Sequence, residues 1–404
     1  MNKRLLNWAE YVFTVLALVL YSGGPLTVIL TGGHSQGEDR IALPDFKSMQ
    51  LLFAGTYLIV IALLTLRWRK TLCVLRSNSF IWCFIGLAVA SVLWSFEPSV
   101  TLRRSIAIVG TSAFGLYIAS RYTPKQQLEI LGWTFGIITL LSWVYGLILP
   151  KYGIMSGVHA GSWRGIYTHK NGLGRVMVSA FIVFLLLLGS GRYRWLKVMG
   201  LCASFALLLL STSKTALVLF VLMLLVVGVC YNLRLYYKLM VGVVSGTALA
   251  CLGIMIAAAL NAERLLALVG RDLTLTGRTG IWMQVIDKIG QRPFLGYGYQ
   301  GFWRGWNSES TDILLSEGWF VDHSHNGFLD LCLELGLLGL GLFLVGFFVV
   351  WARSVQRLRE KRGAEHIWPV VLMTFLVLSN LTETSLVKRN SISWVLYVAV
   401  GFSV

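Results

Sequence analysis

Long apolar segments, separated by short basic stretches, constrain the fold of this chain more than any other feature of its 404 residues. Each segment is about 15 to 25 residues long, and about 20 helical residues are needed to cross the hydrocarbon core of a bilayer. Charged residues make up only 13% of the chain, against about a quarter in soluble domains. The pattern excludes a soluble globular enzyme, a disordered chain and a collagen-like or repeat scaffold. It predicts an all-α polytopic membrane protein.

The apolar segments divide the chain into three parts. We predict about twelve transmembrane helices, at residues 8–30, 49–66, 79–95, 105–119, 129–149, 172–190, 196–211, 215–231, 239–260, 326–351, 366–381 and 391–404. Residues 1–260 hold helices 1 to 9 with short loops, residues 261–325 form one long loop domain, and residues 326–404 hold helices 10 to 12. Within the loop domain, residues 276–289 predict a short amphipathic helix, because Ile281, Val285 and Ile289 share one face.

Basic residues predict the orientation of these helices. Short loops rich in Lys and Arg, such as residues 67–70 and 353–362, favour the cytoplasmic side, which places both termini in the cytoplasm and predicts a first span that is not cleaved. The predicted outer face nevertheless carries many cations: Arg103, Arg104, Arg164, Lys170, Arg175, Lys214, Lys388 and Arg389. An excess of cations on that face indicates a bound anionic ligand, although pairing with nearby carboxylates is the alternative.

Several other classes of site are not supported by the sequence. The net charge of +17 is scattered between apolar segments instead of forming one basic face or arm, so nucleic acid is not expected as a partner. The six cysteines form neither a disulfide framework nor a CxxC site. The Gly-Tyr-Gly-Tyr run at residues 296–299 lacks P-loop spacing, and its rings are expected to stack on sugars instead.

Two histidines at the outer mouth of the tenth predicted span are the candidates for chemistry. A neutral imidazole can accept a proton from a hydroxyl at neutral pH, so His325 or His323 is a candidate general base, with Asp322 orienting the ring. Structural hydrogen bonding and metal binding by these three residues are the alternatives. Asn326, Asp330 and Glu334 are expected to share a helix face. The two carboxylates are expected to act as supports, and pairing with an intramembrane cation such as Arg175 is the alternative to a catalytic role.

Cations at three further places predict a phosphate site. Arg164, His169 and Lys170 lie together at the entry to the sixth predicted span, where Trp163 and Tyr167 could equally be interfacial anchors. Lys214 lies in a polar break between two short spans, and such a break is tolerated only where it is buried in protein or lines a water-filled cavity. Arg278 lies near the start of the amphipathic helix, whose N-terminal N–H groups also favour an anion.

The motifs resemble those of the O-antigen ligase and polymerase superfamily of bacterial membrane glycosyltransferases, over the region from about Trp94 to the C-terminus. The strongest match is His325-Asn326, nine residues, Gly336, two residues and Gly339, which fits the family's ligase signature. Four further pieces follow the family's order: Thr168 to Gly174, Gly277-Arg278 with Ile281-Trp282, Gly296-Tyr297-Gly298, and Asn380-Leu381-Thr382-Glu383.

The resemblance implies a GT-C-like fold and an inverting, metal-independent transfer that needs no cofactor. The implied reaction moves a glycan from undecaprenyl diphosphate to a lipid A core sugar hydroxyl at the periplasmic face of the inner membrane. His325 would activate the acceptor hydroxyl, Arg278 and Lys214 would hold the diphosphate with Arg164, Lys170 and His169 beside them, and Glu383 would support the site. The family usually has arginine at the position of Lys214, so a bidentate grip is lost there.

Two alternative functions remain open at the level of the sequence. A polymerase would join repeat units while both stay on polyprenyl diphosphate, and its motifs overlap with those of a ligase. A transporter of lipid-linked oligosaccharides would need charged groups near the middle of the membrane, whereas the ionisable residues here are concentrated near one predicted face. The ligase signature favours the ligase.

Overall fold

The computed structural model describes residues 3–34, 46–189, 191, 193–233, 278–305, 308–317 and 321–404. These residues are helical or irregular, apart from one isolated β-bridge between Ile154 and Trp163. Their α-helices, in chain order, are α1 Lys3–Tyr21, α2 Thr27–Leu30, α3 Lys47–Leu66, α4 Trp68–Leu75, α5 Ser79–Ala90, α6 Pro98–Arg121, α7 Pro124–Ile148, α8 Pro150–Gly153, α9 Lys170–Leu187, α10 Arg194–Leu210, α11 Lys214–Leu233, α12 Arg278–Gln291, α13 Thr311–Glu317, α14 Gly327–Glu360, α15 Ile367–Asn380 and α16 Ile392–Ser403.

The prediction of an all-α membrane protein agrees with this architecture. Among the described residues, six helices are long and apolar enough to cross a membrane, namely α1, α3, α7, α9, α11 and α14. A seventh is added if α4 and residues 79–93, which meet at 91°, form one broken span. Eleven of the twelve predicted spans fall on described helices, and the ninth, residues 239–260, lies outside the described residues. The count of twelve therefore stays a prediction.

Two predicted boundaries were wrong. Helix α1 ends at Tyr21 instead of continuing to residue 30, because Gly23 adopts a φ of 80° and Pro25 follows in the turn. Helix α14 continues to Glu360, so most of the stretch predicted as a basic loop at residues 353–362 is helical.

Polar side chains fix where several helices begin. Thr123 and Gln126 form a capping box at the start of α7, and Asn78 caps α5. His169 caps α9 and Asn326 caps α14, so the two motifs that contain these residues each begin a helix. Capping therefore places both motifs at helix starts, where their neighbouring polar groups can face a common space.

The core runs between the helices and is mainly apolar. Helix α9 packs on α10, α7 and α11, while α6 packs on α16 and α5 packs on α14. Trp394 of α16 is fully buried and donates from its indole nitrogen to the Ser112 hydroxyl of α6 at 2.8 Å. Gly115 of α6 allows this close approach, since a Cβ there would lie 2.7 Å from Val398.

The described part of the long loop has a small core of its own. The amphipathic helix predicted at residues 276–289 is confirmed as α12, with Ile281 and Val285 fully buried and Ile289 packed beside them. This core also includes Tyr297 and Leu333, so the loop is seated on α14. Residues 261–277 lie outside the described residues.

Helix α14 is kinked at Gly336, which has φ 65° and ψ −169°. The kink exposes backbone groups that the aromatic Gly-rich stretch uses: Tyr297 N donates to Leu333 O at 2.8 Å, and Leu337 N donates to Pro293 O at 2.7 Å. A Cβ at Gly336 would lie 2.1 Å from Phe294 O. The signature glycine therefore joins the loop to the helix that begins at the histidine motif.

One buried ion cluster joins three early helical segments away from this loop. Glu10 of α1 is 5% exposed and accepts from Arg121 Nε of α6 at 2.7 Å, and it also contacts the guanidinium of Arg67, between α3 and α4. A carboxylate in a span is stable only when such partners compensate it.

Candidate active site

The ends of several helices meet at one large cavity of about 1700 Å³. The starts of α9, α11 and α12, the segment before α14 and the segment after α15 all reach it. Most of the sequence-predicted site residues line this cavity together: His169, Lys170, Lys214, Arg278, Asp322, His323, His325 and Glu383. Residues more than 200 positions apart in the sequence therefore share one polar space.

Two histidines and one carboxylate form the centre of the cavity wall. The rings of His323 and His325 lie 4.1 Å apart between centroids. His323 Nδ1 is 2.6 Å from Asp322 Oδ1, and its Nε2 is 3.9 Å from Glu383 Oε2. His325 Nδ1 is 4.0 Å from the same Glu383 oxygen. Because Glu383 faces both rings, it can stabilise a proton on either imidazole.

The two histidines have opposite pKa shifts. The pKa of His325 is lowered to about 3, chiefly by burial and also by the positive field of His323 and Arg278, which Glu383 offsets only in part. Burial also disfavours the charged form of His323, but the carboxylate of Asp322, with help from Glu383, raises its pKa above the usual 6.5. At neutral pH His325 is therefore neutral, with an unprotonated ring nitrogen available.

Glu383 is the ionised centre of this group. Burial alone would raise its pKa, yet the charges of Arg175, His323, His325 and Arg278 lower it to about 2. Asn171 Nδ2 donates to Glu383 Oε1 at 3.0 Å. The carboxylate therefore stays charged at neutral pH.

Asn171 connects this carboxylate to the polar break between α10 and α11. Ser213 Oγ donates to Asn171 Oδ1 at 2.8 Å, and the same hydroxyl lies 3.2 Å from that of Thr215. Lys214, between them, is exposed to the cavity. The sequence predicted that this polar break is either buried in protein or lines a cavity. Both are observed, since Ser213 is buried and Lys214 faces the cavity.

Arg278 is held at the start of α12 by groups from the far end of the sequence. Its Nη1 donates to Thr382 O at 2.8 Å, and its Nη2 lies 3.7 Å from Glu383 Oε1. Asn380 orders this segment, since its Oδ1 accepts from Ser385 N at 2.7 Å. The motif at residues 380–383 thus positions both Glu383 and Arg278.

His169 lies in the cavity in neutral form. Its Nδ1 accepts from Asn171 N at 3.2 Å in the cap of α9, and burial lowers its pKa to about 4. A neutral ring with its Nδ1 occupied can offer an N–H from Nε2 but not a full positive charge. The lysines that line the cavity are Lys151, Lys170 and Lys214.

Arg164 differs from its predicted position. It is 1% exposed and does not line the cavity; its guanidinium donates to the carbonyl oxygens of Tyr152, Gly33 and Lys151 at 2.6 to 3.0 Å. Arg164 is therefore not included in the proposed diphosphate site. Its N–H groups donate to these carbonyls instead, and the guanidinium thereby holds two loops together.

Two predicted supports act beside the cavity instead of facing it. Asn326 caps α14 through its Oδ1, which accepts from Phe328 N at 3.0 Å and from Leu329 N at 3.3 Å. Asp330 is 3% exposed and accepts from Trp303 Nε1 at 2.9 Å, from Ser324 N at 3.1 Å and from the Thr384 hydroxyl. Asp330 thereby fixes the backbone between the two histidines.

Arg175 and Trp282 were not predicted as site residues. Arg175 lies in α9, lines the cavity and contributes the largest share of the positive field on Glu383. A cation within an apolar span was the signal in the sequence; Arg175 was counted among the cations of the outer face and was also interpreted as a partner for Asp330 or Glu334. Trp282 lines the cavity and donates to Ser324 O at 2.8 Å, which holds α12 against the histidine segment.

The histidine cluster also has the donor set of a metal site. His323, His325 and Glu383 each offer one ligand atom within 4.8 Å of the others. The charges around them oppose a metal cation, however, because Arg278 and Arg175 act on the same carboxylate and Asn171 occupies one of its oxygens. The chemistry of this set fits a proton-transfer group better than a divalent ion.

The rings of Tyr297 and Tyr299 do not reach the cavity. They are 1% and 0% exposed, and their hydroxyls donate to Lys288 O and Val387 O. The expected stacking of these rings on sugars is wrong, because Tyr297 packs in the small core between the loop and α14, and Tyr299 packs against the segment before α16.

The sequence profile of the family described as O-Antigen ligase matches residues 198–344 of the chain. The predicted family resemblance is confirmed. The region that matches the O-antigen ligase family contains Lys214, Arg278, His325 and the signature glycines Gly336 and Gly339. His169 and Glu383 lie outside that region, yet they line the same cavity.

Relatives with similar sequences carry names from polysaccharide synthesis. The exopolysaccharide production protein ExoQ of Rhizobium meliloti is 24% identical over 378 residues, which cover 87% of this chain and 83% of ExoQ. Putative polysaccharide ligases of Rickettsia felis and Rickettsia bellii are each 25% identical, over 275 and 279 residues, which cover 65% of this chain and 64% of each ligase. The family and these relatives indicate a membrane enzyme of polysaccharide synthesis.

Proposed function

We propose that the chain is a membrane glycosyltransferase of the O-antigen ligase type. It transfers a glycan from undecaprenyl diphosphate to a sugar hydroxyl of lipid A core, at the periplasmic face of the bacterial inner membrane. The observation that carries the proposal is that one cavity holds both a histidine and carboxylate cluster and the cations Lys170, Arg175, Lys214 and Arg278. A donor that carries a diphosphate and an acceptor that must lose a proton need both kinds of group.

The reaction has one bond made and one bond broken at the anomeric carbon. The acceptor oxygen forms a bond to that carbon, while the bond between the carbon and the diphosphate oxygen breaks and its electron pair leaves with the diphosphate. Arg278 and Lys214 meet the developing negative charge, and such preorganised contacts can contribute several kcal/mol in a water-poor site. Attack from the side opposite the leaving group inverts the anomeric configuration.

His325 receives the proton of the acceptor hydroxyl in this proposal. It is neutral at pH 7, so no deprotonation step precedes binding. A bound diphosphate adds negative charge, which favours the protonated ring and raises the pKa of His325 toward the working range. Glu383, 4.0 Å from His325 Nδ1, stabilises the imidazolium that forms. No metal and no cofactor take part.

A polymerase is the second candidate. ExoQ, which aligns with 87% of the chain, is named for exopolysaccharide production. A polymerase would use the same donor cations and the same base, and its acceptor would be a second polyprenyl diphosphate glycan in place of lipid A core. The two candidates therefore differ in the acceptor and not in the chemistry.

A transfer assay with purified protein tests the proposal. Undecaprenyl diphosphate glycan is supplied with lipid A core acceptor in one sample and alone in another. We expect product on the core, lost in His325→Ala and retained when EDTA is present. A ladder of longer lipid-linked glycans in the donor-only sample would assign the polymerase.

His366→Ala is the matched control for this assay. His366 lies near the start of α15 beside Glu365, outside the cavity, so its replacement is expected to leave transfer unchanged. Wild-type transfer by His325→Ala would contradict the role of His325, and transfer by neither sample of the wild-type protein would contradict the proposed function.

A further inference from the structure

A second cavity of about 740 Å³ adjoins the first. Asp322 and His323 line both cavities, together with Gly23 and Thr168. The histidine segment therefore lies between two spaces, and a group in either space can reach it.

The second cavity has its own set of cations from three separate parts of the chain. Arg103 and Arg104 come from the first turns of α6, Arg304 from the loop after α12, and Lys388 and Arg389 from the segment before α16. Within the part of the chain that the structure describes, Arg103, Arg304 and Lys388 make no hydrogen bond or ion pair. All three are exposed to the cavity and to solvent.

The carboxylates in this cavity are fewer and have other partners. Asp330 accepts from three groups of neighbouring segments, and Asp322 holds His323. With Glu334 they make three carboxylates beside five cations. The cavity is therefore electropositive, and its unpaired cations suit an anionic group on a ligand.

We propose that the second cavity binds the acceptor through a phosphate group that the acceptor carries, an inference that rests on the proposed transfer function. The donor diphosphate then occupies the first cavity, and the two substrates meet at the histidine segment. Each substrate is held by its own cations, so the acceptor hydroxyl approaches the anomeric carbon from the side opposite the leaving diphosphate. Positioning of this kind supplies much of the rate in a two-substrate transfer.

Three molecules can present such a phosphate at this place. They are a glycan on polyprenyl diphosphate, a phosphorylated glycolipid such as lipid A core, and the headgroup of a bulk phospholipid. The first two are acceptors, and the third is a membrane component without a glycan. Binding and kinetic measurements separate the three.

Binding is measured first, because it does not depend on turnover. Full-length protein in nanodiscs of phosphatidylcholine is titrated with undecaprenyl diphosphate, and bound molecules are counted by native mass spectrometry. We expect two per chain in the wild type. The double variant Arg304→Gln, Lys388→Gln is expected to keep one, and Arg278→Gln, Lys214→Gln is expected to keep the other.

Lys361→Gln, Arg362→Gln is the matched control, because both residues are exposed at the opposite end of α14 and line neither described cavity. It is expected to bind two molecules. One molecule per chain in the wild type would overturn the inference. So would displacement of the second molecule by phosphatidylglycerol at equal concentration.

Kinetics then identify the acceptor. In Arg304→Gln, Lys388→Gln the KM for the acceptor is expected to rise about tenfold, equivalent to about 1.4 kcal/mol, with the KM for the donor unchanged. The same glycan on a neutral lipid alcohol should bind the wild type about as weakly as the phosphorylated acceptor binds this variant. Lipid-linked glycan and lipid A core are compared as phosphorylated acceptors, and the one with the lower KM is assigned as the acceptor of this protein.

The two proposals fail in different ways. Two binding sites without any transfer would contradict the proposed function and leave the second phosphate site standing. Transfer with an unchanged acceptor KM in the double variant, or with equal use of the neutral acceptor, would overturn the second site and leave the glycosyltransferase standing.

Discussion

His325 combines an uncommon backbone conformation with a lowered side-chain pKa. Its φ is 56°, in the left-handed region that non-glycine residues seldom adopt. Ser324 before it and the cap residue Asn326 after it are both hydrogen bonded, so the neighbouring segments hold this conformation in place. Conformations of this kind are concentrated at functional sites, where the surrounding structure maintains them.

The pH profile of transfer distinguishes the two histidines. A base acts only when unprotonated, so activity falls as the pH drops through the pKa of the base, and kcat/KM reports the pKa of the free enzyme. With His325 as base, whose pKa is about 3, we expect kcat/KM to stay level between about pH 8 and pH 5. A decline that begins above pH 6.5 would instead assign the base to His323, whose pKa is raised.

Glu383→Gln tests the role of the central carboxylate. Glutamine keeps the volume and the contact with Asn171 but removes the charge that faces Arg278 and both histidines. Loss of a buried ionic partner is expected to lower the free energy of unfolding by about 1–3 kcal/mol and to reduce transfer strongly. Thermal unfolding and the transfer assay measure the two effects.

Glu365→Gln is the comparison, because Glu365 pairs with His366 at 3.9 Å where both are partly exposed. A surface change of this kind is expected to alter stability by about 0.5 kcal/mol or less. Equal effects of the two substitutions would show that Glu383 has no special position.

The residues of the site could be predicted from the sequence, but the directions in which their side chains point could not. His325, Arg278 and Lys214 were predicted from motif and charge, and they line one cavity. Arg164 belongs to an equally basic motif, yet it points away from that cavity into backbone carbonyls. Sequence spacing gives no information on such directions when the contacts come from distant loops.

Helix α14 shows how one glycine organises a longer element. Its 34 residues are mostly apolar, and the kink at Gly336 allows residues 293–298 to hydrogen bond along it. The signature residues His325, Gly336 and Gly339 thus belong to one structural unit, made of the histidine segment, the first part of α14 and residues 293–298. The histidine lies before the helix begins, and the glycines seat the loop against it.

Gly336→Ala is expected to destabilise this unit. The observed φ and ψ lie in a region that is essentially restricted to glycine and costs about 1–3 kcal/mol for other residues, and the new Cβ would also meet Phe294 O. The unfolding temperature should fall, and protection of residues 293–298 against hydrogen exchange should decrease. Both are measurable on the purified protein.

Gly341→Ala on the same helix provides the control. A Cβ at Gly341 meets nothing within 4 Å, and alanine favours helix. Its stability should be unchanged or slightly increased. If Gly336→Ala behaved in the same way, the kink would have no structural role.

The long apolar segments predicted the helices well, because such a segment has few other stable conformations in a membrane. The kink, the 91° bend before residue 79 and the early end of α1 were not predicted. Each depends on a glycine conformation or a tertiary contact, and neither changes the average hydropathy of a segment.

The whole molecule has two chemically different ends. The cavities lie at one end, where α14 begins, and the 24 residues of α14 that follow the kink at Gly336 extend, at about 1.5 Å each, about 36 Å toward the other. Lys361 and Arg362 lie exposed just beyond that helix. This separation is long enough to cross a bilayer.

Cysteine labelling tests the proposed orientation. In a variant with its native cysteines replaced by serine, Val158→Cys is introduced near the first cavity and Arg362→Cys at the opposite end, since Val158 is 90% exposed. An impermeant maleimide should label position 158 in intact spheroplasts and position 362 only after permeabilisation. The reverse pattern would place the active site in the cytoplasm.

The ion cluster of Glu10, Arg67 and Arg121 has a consequence for biosynthesis. Helix α1 emerges from the ribosome with a carboxylate that the finished protein buries, and its two arginine partners are made 57 and 111 residues later. Until Arg121 has been translated, the first helix lacks part of its compensation and is only weakly committed to the lipid phase. Insertion of this protein is therefore expected to be a joint event of its first helices, with α1 retained at the insertion machinery until α6 arrives.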